Sequence, residues 1–205
     1  MRRVLVLFAH PVLERSRVNR RLVDTLRELP GVTIHDLYEV YPTFVIDVPR
    51  EQALLREHDV IVFQHPFYWY STPAILKEWQ DLVLEHGWAY GPGGTALRGK
   101  TTLNAISTGG PAAAYQSGGY NRFTVRQLLA PWEQTANLCE MRFLAPFVVH
   151  AALRVVGDDD LGERRLGYRR LIEGLRDERI DLERAQRAQN LADQLADLFA
   201  AAVVA

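Results

Sequence analysis

Short, unbroken apolar runs recur along this chain, and each ends abruptly in polar, glycine or proline residues. The first is Val4-Leu5-Val6-Leu7-Phe8, bounded by charge on one side and His10-Pro11 on the other. Val60-Ile61-Val62-Phe63 is of the same kind, and 101–107 reads as a fourth strand. A strand with one wet face alternates polar and apolar residues, whereas a strand buried on both faces has no reason to. The intervening segments carry helical spacing instead. Over 16–29 the apolar positions are Val18, Leu22, Val23, Leu26 and Leu29, stopped by Pro30-Gly31, and over 73–85 they are Ile75, Leu76, Trp79, Leu82 and Val83. Buried strands alternating with helices imply a parallel sheet covered on both faces.

The remaining elements follow from the same pattern. Residues 32–37 read as a second strand and 38–47 as a loop, and Pro49 opens a short helix over 49–58. Residues 87–99 form a Gly-rich connection, 124–138 a helix and 141–150 a fifth strand, with Pro146 marking an edge, a bulge or the strand's end. Charged helices are expected over 161–175 and 181–204. The second carries Leu182, Ala185, Ala188, Leu191, Leu195, Leu198 and Phe199 to pack on the domain or on a partner subunit. Asp158-Asp159-Asp160 reads as a solvated loop that caps the helix after it. The expected division is a ligand-binding domain over 1–156 and a helical extension over 157–205.

The turn after Phe8 reads Ala9-His10-Pro11-Val12-Leu13-Glu14-Arg15-Ser16, so it lacks the G-x-G-x-x-G of dinucleotide folds. The doubly wound order 2-1-3-4-5 remains, which places a ligand beside strands one and three. Functional residues are then expected at the carboxyl ends of strands one, three and four.

With 205 residues, 48% of them hydrophobic, the chain buries a sizeable core without staples. A net charge of −1 argues against a nucleic-acid footprint. The single cysteine, Cys139, excludes an intrachain disulfide and reads as a buried thiol. The apolar run at 4–9 is too short for a secretory signal, and no segment is long enough to span a bilayer. A cytoplasmic protein without direct membrane insertion is expected. No His, Cys, Asp and Glu cluster has metal-ligand spacing, so no metal is expected.

At the first strand end, Ser16 is placed to cap the following helix, and His10 and Asn19 flank a ready phosphate site. The second reads Gln64-His65-Pro66-Phe67-Tyr68-Trp69-Tyr70-Ser71. Four consecutive aromatics follow neither strand nor helix periodicity and suggest a stacking surface for a planar ring. His65 reads as structural. The third, Ser107-Thr108-Gly109-Gly110, lets the backbone approach a ligand closely, and Tyr115 lies within reach.

Together these segments resemble the flavodoxin-like NAD(P)H:quinone oxidoreductase family, and within it the ancillary subunits of glutathione-regulated potassium-efflux systems. The carriers are Ala9-His10-Pro11 with Ser16 and Asn19, then Tyr41-Pro42-x-Phe44-x-Ile46-Asp47 and Gln64-His65-Pro66 with Trp69-Tyr70-Ser71. Gly87-Trp88-Ala89-Tyr90-Gly91, Gly93-Gly94-Thr95-Ala96-Leu97 and Thr108-Gly109-Gly110 complete them, so the likeness covers about residues 4–150. The resemblance implies FMN, with FAD as the alternative, and NAD(P)H as co-substrate. It implies that His10, Ser16, Arg17, Val18 and Asn19 hold the phosphate end. Pro66, Phe67, Tyr68, Trp69 and Tyr70 then line the ring system, Ser107, Thr108, Gly109 and Gly110 contact its other edge, and Tyr115 stabilises the reduced flavin. Mammalian-type relatives place a histidine a few residues after that tyrosine, where this chain has Asn121. The implied reaction is ping-pong two-electron reduction of a quinone. A homodimer is implied too, as is a role at the cytoplasmic face of a potassium/proton antiporter; independently, the aromatic-rich segments 38–44 and 88–90 offer candidate contact surfaces. An electron-transfer flavodoxin is disfavoured by the near-neutral charge and by His10-Pro11 in the first loop.

Overall fold

The computed structural model describes residues 1–155, 157 and 161–199. Its strands are β1 (Val4–Phe8), β2 (Val32–Asp36), β3 (Val60–Pro66), β4 (Thr101–Ser107), β5 (Arg142–Phe143) and β6 (Phe147–Val149). They form one parallel sheet in the order β2-β1-β3-β4-β5, with β6 continuing alongside β4. The helices are α1 (Asn19–Asp24), α2 (Leu37–Val40), α3 (Val48–Arg56), α4 (Ala74–Val83), α5 (Val125–Leu128), α6 (Ala130–Leu138), α7 (Gly162–Arg176), α8 (Leu182–Arg187) and α9 (Leu191–Gln194).

β1 shows why its sequence is uniformly apolar. Val4, Val6 and Phe8 enter one core, with Leu22 and Leu26 around α1 and Tyr168, Leu171 and Leu175 of α7. Leu5 and Leu7 enter the other, with Leu37, Leu55, Trp79 and Trp132. β1 lies between β2 and β3, and this reversal of winding opens a crevice at its carboxyl end.

The second core contains a carboxylate. Glu51 of α3 is fully buried; Tyr41 Oη donates to its Oε1 at 2.6 Å and Trp79 Nε1 to its Oε2 at 2.8 Å. His35 Nε2 lies 2.8 Å from Oε1. Burial pushes this carboxyl up, but these hydrogen bonds outweigh it and hold the group below its usual range.

Several elements differ from the expectation. The helix expected over 16–29 is helical only at Asn19–Asp24. Beyond it Thr25, Leu26 and Leu29 bond three residues back, and the Thr25 hydroxyl takes the Leu22 carbonyl at 2.7 Å. Ser16 is not the cap of α1; that position is Val18, which offers no side-chain bond, while Ser16 Oγ accepts from Arg20 N at 3.1 Å. Within the expected loop 38–47, the short α2 forms because the Asp36 side chain accepts from the Tyr38 and Glu39 amides. The helix expected over 124–138 breaks into α5 and α6 where Pro131 enters without an N–H. The fifth strand is interrupted at 144–146 by Pro146.

The helix expected over 181–204 is replaced by α8, α9 and a 3-10 turn at Leu195–Leu198. Asn190 leaves helical geometry to use its side chain twice. Its Oδ1 accepts from Val148 N at 2.8 Å and its Nδ2 donates to Val148 O at 3.3 Å, supplying what a further strand would offer β6. Ala145 N donates to Ala185 O and Leu191 N to Pro146 O nearby, so this sheet edge is covered by the chain's own segment. Tyr168 of α7 donates to Gln64 Oε1 of β3 at 2.9 Å, which joins this part of the chain to the sheet's centre. Asp158, Asp159, Asp160 and residues 200–204 lie outside the described residues.

Candidate functional site

Every residue expected at the site lines one groove along the carboxyl rim of the sheet. One half, about 910 Å3, is lined by His10, Ser16, Arg17, Val18, Asn19, Pro66, Phe67, Tyr68, Trp69, Ser107, Thr108 and Gly109, among others. The other, about 500 Å3, adds Tyr70, Gly110 and Tyr115 and shares Phe67, Trp69 and Gly109 with the first.

The first half is built for an anion. After β1 the chain makes one 3-10 turn, Leu13–Arg15, and then presents the amides of Arg17, Val18 and Asn19, which find no acceptor among the described residues. Such free amides beside a helix start form an anion-binding concavity. His10 Nδ1 accepts from Val12 N at 3.3 Å, leaving Nε2 to carry the proton. Burial lowers the pKa of this imidazole, so it is a neutral donor at pH 7. Arg17 is anchored through the Leu153 carbonyl at 2.8 Å.

A buried chain of hydrogen bonds fixes this cradle to the sheet. Tyr168 donates to Gln64 Oε1, Gln64 Nε2 donates to Asn19 O at 2.8 Å, and Asn19 Nδ2 donates to Ser107 Oγ at 2.8 Å. Asn19 Oδ1 is buried without a partner at the groove wall. A ligand donor such as a ribityl hydroxyl fits that orphaned acceptor, since an unpaired buried polar atom is otherwise unfavourable.

The aromatic run forms the opposite wall. Phe67 is buried and held by its amide to Ser107 O, while Tyr68 and Tyr70 are partly exposed and Trp69 is 92% exposed. Ser71 N bonds back to Tyr68 O, with Trp69 at φ 51° and Tyr70 at φ 62°. This is a type I′ turn, normally made by Asn or Gly. His65, beside it, is fully buried, bonds to its own strand's end, and is held down to a pKa of about 4 by burial, a structural role.

The glycine turn lies next to Tyr115. A Cβ on Gly110 would meet the Tyr115 ring at 3.4 Å, so the turn packs directly against the phenol. Burial raises the Tyr115 pKa and its polar neighbours Thr108 and Asn121 lower it, with burial winning, so the phenol stays a donor at neutral pH. Asn121 accepts from Tyr70 Oη at 3.0 Å.

Two participants were not expected from sequence. Gln64, part of the Gln64-His65-Pro66 motif, links three elements. His150, just beyond β6, brings its ring centroid to 5.6 Å from that of Tyr115 and its Nδ1 to 3.0 Å from Thr108 Oγ1. The signal was available, because in a parallel sheet the fifth strand ends on the same rim.

A family model described as the flavodoxin-like fold matches residues 2–172. The chain belongs to the flavodoxin-like fold family. A curated relative of this flavodoxin-like chain is the glutathione-regulated potassium-efflux system ancillary protein KefG of Shigella flexneri serotype 5b (strain 8401). It is 52% identical over 152 residues, spanning 74% of this chain and 83% of KefG. Among solved structures, the general stress protein 14 of Treponema denticola in complex with FMN superposes with a TM-score of 0.76 at 36% identity, covering 86% and 98% of the two chains. An NADPH-quinone reductase from P. pentosaceus superposes with a TM-score of 0.75 at 33% identity, covering 82% and 96%.

Proposed function

We propose that this chain is an FMN-dependent NAD(P)H:quinone oxidoreductase. The observation that carries the reading is the two-part groove, in which free amides at one end adjoin an aromatic-walled slot at the other. A mononucleotide carrying a planar ring matches both halves. The likeness to an FMN complex and to an NADPH-quinone reductase supports the same ligand and reaction class.

On this reading the amides of Arg17, Val18 and Asn19, with Ser16 and His10 Nε2, hold the FMN phosphate. Asn19 Oδ1 accepts from the linker. Phe67, Tyr68, Trp69 and Tyr70, with Pro66 at their base, line one side of the ring, and Ser107, Thr108, Gly109 and Gly110 line its edge. A flavin held there would supply the two-electron transfer between NAD(P)H and a quinone. Tyr115 supplies a neutral hydrogen-bond donor where negative charge develops, which strengthens there because the site is partly shielded from water. Substrate and acceptor share the slot beside Trp69, which makes the kinetics ping-pong.

The test is to purify the protein, record its visible spectrum and extract any flavin. A yellow protein bleached by NAD(P)H and recoloured by a quinone is the expected result. A colourless protein that takes up neither FMN nor FAD overturns the reading, and an obligate ternary complex overturns the shared slot.

The identity to KefG favours a second reading, in which the chain also serves as an ancillary subunit of a potassium/proton antiporter. On this reading the chain is held at the membrane through the partner; among the described residues no helix is long and apolar enough to cross a membrane. Co-purification with the antiporter tests this. A homodimer accompanies both readings, supported by Trp69 and Tyr120, 92% and 90% exposed at the groove's open side. Sedimentation equilibrium at micromolar concentration checks it.

A further inference from the structure

His150 has no part in the scheme above, yet it stands directly behind the groove's glycine edge. The Thr108 hydroxyl donates its single proton to Gly110 O at 2.9 Å. Its oxygen therefore accepts at the 3.0 Å contact to His150 Nδ1, which puts the imidazole proton on Nδ1 and leaves Nε2 as the basic atom. The same segment grips the turn through its backbone. Thr108 N donates to Val149 O, Ala151 N to Gly110 O and Ala152 N to Thr108 O, with Ala151 in the left-handed region at φ 57°. Any charge placed against Thr108–Gly110 thus acts on an imidazole one hydroxyl away.

We propose that His150 is a positioning residue for the Thr108–Gly110 edge, which it holds by Nδ1 while Nε2 takes a proton from solvent whenever negative charge appears in the groove beside that edge. The proton returns to solvent when the charge leaves, and no other bond at His150 changes. The inference rests on the flavin reading, because two-electron reduction of a flavin is the event that places the charge. The surroundings suit this task. Burial holds the imidazole below its usual pKa, so it starts neutral. The groups facing it are the Tyr115 ring, Asp193 of α9, which favours the charged form, and Arg164 of α7, which opposes it; these last two pair with each other at 2.7 Å. Little net charge therefore remains near His150 except what the groove supplies.

Two measurements on the FMN-loaded full chain test the proposal. The first follows the His150 ring resonance through a pH titration in the oxidised and dithionite-reduced protein, assigned by its loss in His150→Asn. Its proton affinity is expected to rise at least about tenfold on reduction, one pKa unit. The second counts protons taken up per two electrons in weak buffer. His150→Asn keeps a donor for Thr108 but has no basic atom, so it is expected to load with FMN and to lose the extra fractional proton. An unchanged His150 titration between redox states overturns the inference, whatever the variant does. So does an unchanged proton count in a folded, FMN-loaded His150→Asn. If the wild type takes up no flavin, the flavin reading falls and this inference with it; FMN uptake without redox-linked titration removes the inference alone.

Discussion

Trp69→Gly separates what the aromatic turn does for stability from what it does for binding. Trp69 and Tyr70 both occupy left-handed backbone, at φ 51° and 62°. That conformation costs a non-glycine residue about 1–2 kcal/mol. Glycine removes the strain but adds about 0.5–1 kcal/mol of unfolded-state entropy to be lost. In the ligand-free protein the indole is 92% exposed, so deleting it forfeits little burial. The net effect is a gain of about 0–1.5 kcal/mol, which at about 2–4 °C per kcal/mol for a chain of this size leaves Tm unchanged or up to about 6 °C higher. Binding moves the other way. An aromatic contact with a planar ring is worth about 0.5–1.5 kcal/mol beyond burial, so the Kd for FMN weakens roughly 2–10-fold. Thermal melts of the ligand-free protein and flavin fluorescence quenching read the two effects. Trp69→Ala is the control, since it loses the indole but keeps the strain and should melt below Trp69→Gly. Equal melting of the two variants, or a fall of several degrees in Trp69→Gly, would show that the turn is not strained. Unchanged FMN affinity would remove Trp69 from the wall.

Glu51→Gln keeps one acceptor oxygen but sets an amide against a donor among His35, Tyr41 and Trp79, at a cost of about 2–4 kcal/mol by urea unfolding at pH 7. Because the folded-state pKa of Glu51 lies below its unfolded value of 4.5, its contribution is fully present above that value and is lost as pH falls through the folded one; the gap between wild type and variant should close in acid. Tyr168→Phe leaves Gln64 Oε1 unpaired and should lose about 1–2 kcal/mol of stability while shifting the FMN Kd less than about 3-fold, since Gln64 still holds Asn19. Tyr115→Phe should lower kcat toward quinone roughly 10–100-fold with the FMN Kd unchanged, measured by steady-state kinetics and fluorescence titration; a loss confined to FMN affinity would make Tyr115 a wall and not a donor.

What the sequence discloses depends on the range of the interaction that decides each element. β1 and the first half of β3 are readable because burial on both faces removes polar residues from 4–8 and 60–63, whereas β4 is buried throughout with Thr101, Thr102, Asn104 and Ser107 in it. The burial of Val18, Leu22, Val23, Leu26 and Leu29 was equally readable, but α1 stops at Asp24, since apolar spacing reports which side is covered and not whether amides bond three or four residues back. The segment from Asp181 fails for a different reason. Its apolar positions are buried as their spacing implies, but Asn190 breaks the helix to meet Val148, a partner 42 residues away that no local pattern contains.

The site divides along the same line. Four adjacent aromatics fit neither strand nor helix, so residues 67–70 stood out, whereas their left-handed turn did not, because Trp and Tyr carry no local preference for it. His150 lay in an ordinary apolar run and carried no motif. Topology alone locates it: once every strand is parallel, every carboxyl end reaches one rim, and the residue after β6 must stand beside the turn after β4, its sheet neighbour. The pairing of Ser107 with Val149 then sets Thr108 against His150, so a side chain 42 positions away backs the groove's edge through the register of the sheet. The same reasoning gives a rule for chains of this winding, that the rim should be read from all the strand ends before any one motif is given the site.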